Sequence, residues 1–250
     1  TKELEIDRAA GAIDVAVHSA KDVPTEIDPG FLLAGYLPRE NVDDLLLANA
    51  PLSEGLGSLK TGATVATGSV RRQAQLQHLR PDLTVVDVRG NVPTRMSKLL
   101  DPASGFDAMV LARAGLKRLG YSVDSHCQHD DQRLHLAPLA APDFLPAAGQ
   151  GAIGLEIRAS DDRARSLVEG IEDTPTGQRL KVERAFLALL QAGCHTPVAI
   201  HTEVKGPSIR VQARVFAEDD LSRPPLECVC EGPGSDPDAL ARTIMNDLKA

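Results

Sequence analysis

Between Gly62 and Gly120 the apolar positions switch period three times, from short continuous runs to helical spacing and back. Thr64 to Thr67 reads as a strand, Ser69 as an N-cap, and Val70 to Leu79 as a helix closed by Pro81. Leu83 to Val88 is the next strand, Asn91 caps a second helix reaching Leu100 with Pro93 in its first turn, and Phe106 to Ala112 leads into a helix ending near Gly120. Such a βαβαβα run predicts a parallel sheet whose strand C-terminal ends share one edge, where open sheets bind ligands.

Upstream, Ile13 to Val17 reads as a strand running into the polar tip His18-Ser19-Ala20-Lys21-Asp22-Val23-Pro24. Downstream, Ala137 to Ala148 reads as a connector, His126 to His135 as an irregular surface excursion, and Ala152 to Ile157 as a strand introduced by Gly149-Gln150-Gly151. Ser160 is expected to cap a helix reaching Glu172. From Gln178 the pattern predicts a helix ended by Gly193, then strands near 198–204, 208–217 and 225–231, and a final helix over 236–249. The expected architecture is α/β: two hinged, doubly wound, periplasmic-binding-protein-like domains plus a small α+β domain with a three-stranded antiparallel sheet. The chain is expected to divide into residues 1–42 with 146–173, residues 43–145, and residues 174–250.

The 250 residues carry 27 Lys and Arg against 35 Asp and Glu, a net charge of −8 that argues against nucleic-acid or acidic-membrane partners. No apolar run approaches the roughly 18 residues of a membrane span, and Thr1-Lys2-Glu3-Leu4-Glu5 does not resemble a secretory leader, so a cytoplasmic protein is expected. The four cysteines, at 127, 194, 228 and 230, match neither a disulfide framework nor a zinc pattern; Cys228 and Cys230 read as core residues, and no metal is expected.

Against this acidic background the segment from Arg71 to Lys98 is anomalous, with Arg71, Arg72, Arg80, Arg89, Arg95 and Lys98 facing only Asp82 and Asp87. Arg71 and Arg72 stand in a first helical turn, where the macrodipole disfavours cations, and a bound anion would explain them. Thr67-Gly68-Ser69 offers backbone donors and hydroxyls beside them, and guanidinium forks on a strand edge suit carboxylates or phosphates. Arg80 and Lys98 read as solvated charges. Asp22 is either an acid, base or counter-ion on a cleft rim or a turn residue capping its own backbone. Cys194, after a helix C-terminus, is either a small loop residue or a covalent anchor.

These segments identify a family resemblance. Val17-His18-Ser19-Ala20-Lys21-Asp22-Val23-Pro24, Thr67-Gly68-Ser69-Val70-Arg71-Arg72-Gln73, Val88-Arg89-Gly90-Asn91-Val92-Pro93-Thr94-Arg95, Ala114 to Gly120, Gly149-Gln150-Gly151-Ala152, Glu183-Arg184-Ala185-Phe186 and Gly193-Cys194-His195-Thr196-Pro197 together resemble the porphobilinogen deaminase (hydroxymethylbilane synthase) family. The resemblance implies a monomeric transferase of tetrapyrrole biosynthesis that condenses four porphobilinogen molecules into hydroxymethylbilane with loss of ammonia. It implies a dipyrromethane cofactor bonded to Cys194 through a thioether, with Asp22 as the catalytic group stabilising the cationic azafulvene. It further implies that Ser19, Lys21, Asp22, Thr67, Ser69, Arg71, Arg72, Arg89, Gly90 and Arg95 hold the cofactor, with Arg89, Arg95 and Arg118 on the substrate. Gly149-Gln150-Gly151 would form the hinge. By the same likeness, an N-terminal segment supplying an arginine and a lysine is expected to be missing. The alternatives are an inactive fragment or a non-catalytic anion-binding module; a nucleotide enzyme is disfavoured because no Walker lysine is present.

Overall fold

The computed structural model describes residues 12–191, 196–221 and 223–249. Its first sheet has strands β1 (Val15–Ser19) and β2 (Phe31–Tyr36) on either side of β9 (Ile153–Arg158), both pairings antiparallel. β1 starts two residues later than its apolar pattern predicts, because the ladder with β9 extends to Ser19, opposite Ile153. The polar tip therefore begins inside the sheet. Helix α4 (Asp162–Glu169) covers this sheet by burying Ala164 and Val168 against Leu155 and Ile157.

The second sheet has six strands in the order β5-β4-β6-β3-β8-β7. Here β3 is Asp44–Ala48, β4 Thr64–Ala66, β5 Thr84–Val86, β6 Ala108–Ala112, β7 His126–His129 and β8 Gln132–Leu139. β5, β4 and β6 run parallel, as their alternation with helices predicts. β3 is inserted antiparallel between β6 and β8, making the sheet mixed. Its five residues are all buried, Leu45 and Leu47 in one core cluster and Leu46 and Ala48 in the other. Helices α1 (Val70–Leu79), α2 (Val92–Leu100) and α3 (Arg113–Arg118) cover the two faces: Leu76 joins one cluster, Met96, Leu99 and Leu116 the other. Ser69 and Asn91 cap α1 and α2 through their side chains, as expected. Two expectations fail here. Ala137 to Leu139 belong to β8 rather than to a connector, and His126 to His135 is a β-hairpin whose turn holds Asp130 and Asp131 at φ 47° and 58°. Paired left-handed residues match the twist of a tight hairpin.

α4 (Asp162–Glu169) is capped by Asp161, not Ser160, and stops at Gly170, short of Glu172. The next helix, α5 (Thr174–Leu190), starts before Gln178: Asp173 accepts a hydrogen bond from the Thr176 N–H, and Pro175 sits in the first turn. It ends at Leu190 with Gln191 in the left-handed conformation, while Gly193 lies outside the described residues. The third sheet is β10 (Val198–Lys205), β11 (Ser208–Val215) and β12 (Leu226–Pro233), all antiparallel, packed on α5 and on α6 (Pro237–Asp247). The class is thus the expected one: α/β layers around a mixed sheet, and a C-terminal α+β unit.

Candidate active site

The connections after β4 and β5 meet at one edge of the second sheet. Gly68 is packed so tightly there that a Cβ would stand 2.8 Å from the Val88 carbonyl oxygen. Thr67 is fully buried; its hydroxyl accepts a hydrogen bond from the Ser69 N–H at 3.3 Å. Ser69 in turn accepts from the Arg72 N–H. These residues build the start of α1, whose first turn carries Arg71 and Arg72.

The structure corrects the account of that arginine pair. Both side chains are buried, and between them stands Asp44, the first residue of β3. Arg71 Nη2 donates to Asp44 Oδ2 at 2.7 Å and Nη1 to the Leu145 carbonyl at 2.5 Å. Arg72 donates through Nε and Nη2 to Asp44 Oδ1 at 3.1 and 2.8 Å, and through Nη1 to the Val110 carbonyl. Burial pushes the Asp44 carboxyl up, but the two guanidinium charges and their hydrogen bonds overcome it and hold the group below its ordinary range. An internal carboxylate therefore answers part of the charge that sequence reasoning assigned to a ligand. Two cations still face one anion, and Arg71 Nε is buried with no hydrogen-bond partner among the described residues.

Across from this pair, β1 passes into a 3₁₀ turn, Ala20–Asp22. Lys21 has its ammonium pushed down, first by loss of solvent and next by the charge of Arg72, although part of the side chain is open to the cleft. Asp22 is exposed beside it. Arg95, on α2, is likewise pushed down by desolvation and then by Arg72, while its Nε donates to the Gly90 carbonyl at 2.6 Å. Lys21, Arg71, Arg72 and Arg95 thus share one field around the buried Asp44, with Asp22 also acting on Lys21 and Asp87 on Arg95. Arg89 stands farther out, its side chain 90% exposed and paired with Asp87 at 3.1 Å, and Arg118 donates to the Gly151 carbonyl at 2.6 Å. Arg80 pairs with Asp82 and caps carbonyls of Leu56 and Leu59, and Lys98 donates to the Arg89 carbonyl.

The Gly149-Gln150-Gly151 segment holds a second buried network. Gln150 donates through Nε2 to Asp44 Oδ1 at 2.9 Å and to the Val42 carbonyl at 2.6 Å, and its own carbonyl accepts from Arg39 Nε at 2.8 Å. Arg39 forks onto Glu183 of α5 at 2.6 and 3.0 Å. Glu183 also accepts from the Gly149 N–H at 2.7 Å and from the Thr202 hydroxyl of β10 at 2.5 Å. Hydrogen bonds therefore run unbroken from the arginine pair through this segment to the third sheet. On the other side of α5, Arg184 donates to the carbonyls of Val23, Pro24 and Thr25, just beyond Asp22.

The family profile for the porphobilinogen deaminase dipyrromethane cofactor binding domain matches residues 1–166, and that for the porphobilinogen deaminase C-terminal domain matches residues 178–250. The chain belongs to the porphobilinogen deaminase family. It is 41% identical over 250 residues to the porphobilinogen deaminase of Moorella thermoacetica, covering all of this chain and 75% of that one. It is 43% identical over 249 residues to that of Xylella fastidiosa strain 9a5c, covering 99% and 76%. Among solved structures, it aligns with an arginine-specific periplasmic binding protein of Salmonella typhimurium at 13% identity and TM-score 0.40, over 69% of this chain and 70% of that one. The BvgS periplasmic VFT2 domain of Bordetella pertussis aligns at 16% identity and TM-score 0.39, over 73% and 72%.

The cofactor of this family is the dipyrromethane named in its first domain. The cleft suits such a group: a surplus of guanidinium and ammonium charge, with the partnerless buried Arg71 Nε among them, fits a molecule bearing several carboxylates. Cys194 lies outside the described residues. Asp44 and Arg39 have structural parts in this site that sequence reasoning did not assign, and Gln150, expected only as part of a hinge motif, is bonded to Asp44. The signal for Asp44 is its place at the head of the apolar run Leu45-Leu46-Leu47-Ala48, where a carboxylate needs a buried cation.

Proposed function

We propose that this chain condenses four porphobilinogen molecules head to tail, releasing one ammonia per molecule, and that one water adds to the end of the chain to give hydroxymethylbilane, with Cys194 as the residue that would hold the dipyrromethane primer through a thioether. The observation that supports this reading most strongly is the cation field of Lys21, Arg71, Arg72 and Arg95 around a single buried carboxylate, Asp44, in a chain of this family. When bound, the dipyrromethane supplies the pyrrole carbon to which the first substrate is joined.

The chain's own residues bind, orient and compensate charge. Arg71 and Arg72, fixed by Asp44, present a rigid positive wall to carboxylates, with Ser19, Lys21, Thr67, Ser69 and Gly90 completing the cradle for the primer. Arg89 and Arg95, farther along the edge, and Arg118 at the hinge hold incoming substrate. Asp22 carries an exposed carboxylate beside Lys21, and its part is to stabilise the cation left on the substrate when ammonia departs. The acting unit is one chain in three domains, residues 1–42 with 146–173, residues 43–145 and residues 174–250. We place it in the cytoplasm, where Cys127, Cys228 and Cys230 stay thiols, with a small-molecule substrate and neither nucleic acid nor membrane as a partner. No helix among the described residues is long and apolar enough to cross a membrane. A non-catalytic anion-binding module is disfavoured by the family membership.

Asp22→Asn tests the assignment. Ammonia release and tetrapyrrole formation from porphobilinogen are expected to fall by orders of magnitude with the fold intact, and Asp22→Glu to retain part of the rate. Parent turnover in Asp22→Asn would remove Asp22 from the mechanism.

A further inference from the structure

The third sheet carries a cluster of side chains that tetrapyrrole chemistry does not use. Cys228 and Cys230 stand two apart on the edge strand β12, so both thiols lie on the face turned to α6. α6 is pressed closely onto that strand: a Cβ at Gly232 would stand 2.9 Å from Leu240 Cδ1, and Leu240, Ala241 and Ile244 are buried. This packing brings Asp247, at the end of α6, over the two cysteines. One ligand atom from each of Cys228, Cys230 and Asp247 lies within 4.8 Å of the others, and Cys228 Sγ is 3.7 Å from Asp247 Oδ2. Cys228 is buried, Cys230 half-buried and Asp247 exposed, so the cluster is closed on the core side and open to water on the other.

We propose that Cys228, Cys230 and Asp247 form a binding site for one zinc-class divalent ion, with two thiolates, one carboxylate and a solvent molecule as its four ligands. Two sulfur donors exclude the hard cations, which take oxygen ligands, and select borderline or soft ions. Tetrahedral zinc ligands at about 2.3 Å from the metal stand about 3.7 Å apart, so the observed cluster closes on an ion by small side-chain rotations. Both thiol protons leave to solvent as the ion binds. The ion joins the edge strand to the helix that covers it. Sequence spacing points to core burial for the two cysteines, and only the fold brings the third ligand from Asp247.

Cobalt titration of the reduced, chelator-treated holoenzyme tests the site. One equivalent of Co²⁺ is expected to produce a thiolate-to-cobalt charge-transfer band that Zn²⁺ then bleaches. Cys230→Ser is expected to weaken that band and the affinity, on the order of tenfold or more, and Asp247→Asn to weaken affinity while keeping the band. Cys127→Ser serves as the unchanged control. Cys228→Ser sits in the core, so Cys230→Ser and Asp247→Asn carry the test if it fails to fold. Zn²⁺ should also raise Tm in the parent, increasingly with its concentration, and not in Cys230→Ser. Absence of the band with all thiols reduced, or an undiminished band in Cys230→Ser, would overturn the site.

Discussion

Gly149 lies against the peptide that leads into Lys21: a Cβ at 149 would stand 2.7 Å from the Lys21 nitrogen and 2.8 Å from the Ala20 carbonyl carbon. Gly149 thus touches the segment carrying Lys21 and Asp22, at a φ of 73° that side-chain-bearing residues rarely adopt. Gly149→Ala is expected to lose at least about 2 kcal/mol of stability, from left-handed strain plus a clash against backbone, and to impair turnover. Gly120→Ala is the matched control: φ is 82° but nothing lies within 4 Å of its Cβ, so strain alone costs about 1 kcal/mol. Denaturant unfolding of the two variants separates the contributions, and equal losses would show that the contact with Lys21 is unimportant.

Asp44 supplies the carboxylate that both buried guanidinium groups share, so Asp44→Asn leaves uncompensated buried charge. A loss of about 3–5 kcal/mol in chemical denaturation is expected. Acid should act through the same group. The folded-state carboxyls of Asp44 and Glu183 both lie below their ordinary values of 3.8 and 4.5, so their stabilisation is full above those values and is lost as pH falls through the lower folded-state ones. Unfolding free energy measured against pH should therefore drop steeply below pH 4.5, and the drop should be shallower in Asp44→Asn. An unchanged slope would contradict the role given to Asp44.

Arg89 differs from the buried pair in being almost wholly exposed with one weak partner. Arg89→Leu is accordingly expected to change stability by no more than about 0.5 kcal/mol while stalling chain growth or preventing primer assembly. Denatured-protein mass spectra after incubation with porphobilinogen would read this as altered populations of enzyme-bound intermediates. An unchanged distribution would remove Arg89 from the substrate path.

Local order was readable at several helix starts and in one alternating strand, though not at Ser160, whose capping place Asp161 takes, nor at Asp173, which starts α5 early. Ser69 and Asn91 announce α1 and α2 by capping chemistry, and the alternation of Ile209, Val211 and Ala213 announces β11. The edge of the second sheet was legible too, because six basic residues in an acidic chain stand out. β3 was not. Asp44-Leu45-Leu46-Leu47-Ala48 lacks alternation because both faces are buried, and its antiparallel insertion between β6 and β8 depends on partners distant in sequence. The same strand hid the chief correction at the site, since Arg71 and Arg72 meet Asp44 only after the sheet has formed. Likewise Arg39 and Glu183, 144 residues apart, have no local signature of their pairing.

Whether this chain builds and keeps its primer on Cys194 is read from the intact mass of the denatured protein. After incubation with porphobilinogen, the parent is expected to carry an adduct equal to two deaminated porphobilinogen units, and Cys194→Ala to carry none. An unmodified parent mass, or the same adduct on Cys194→Ala, would contradict the account.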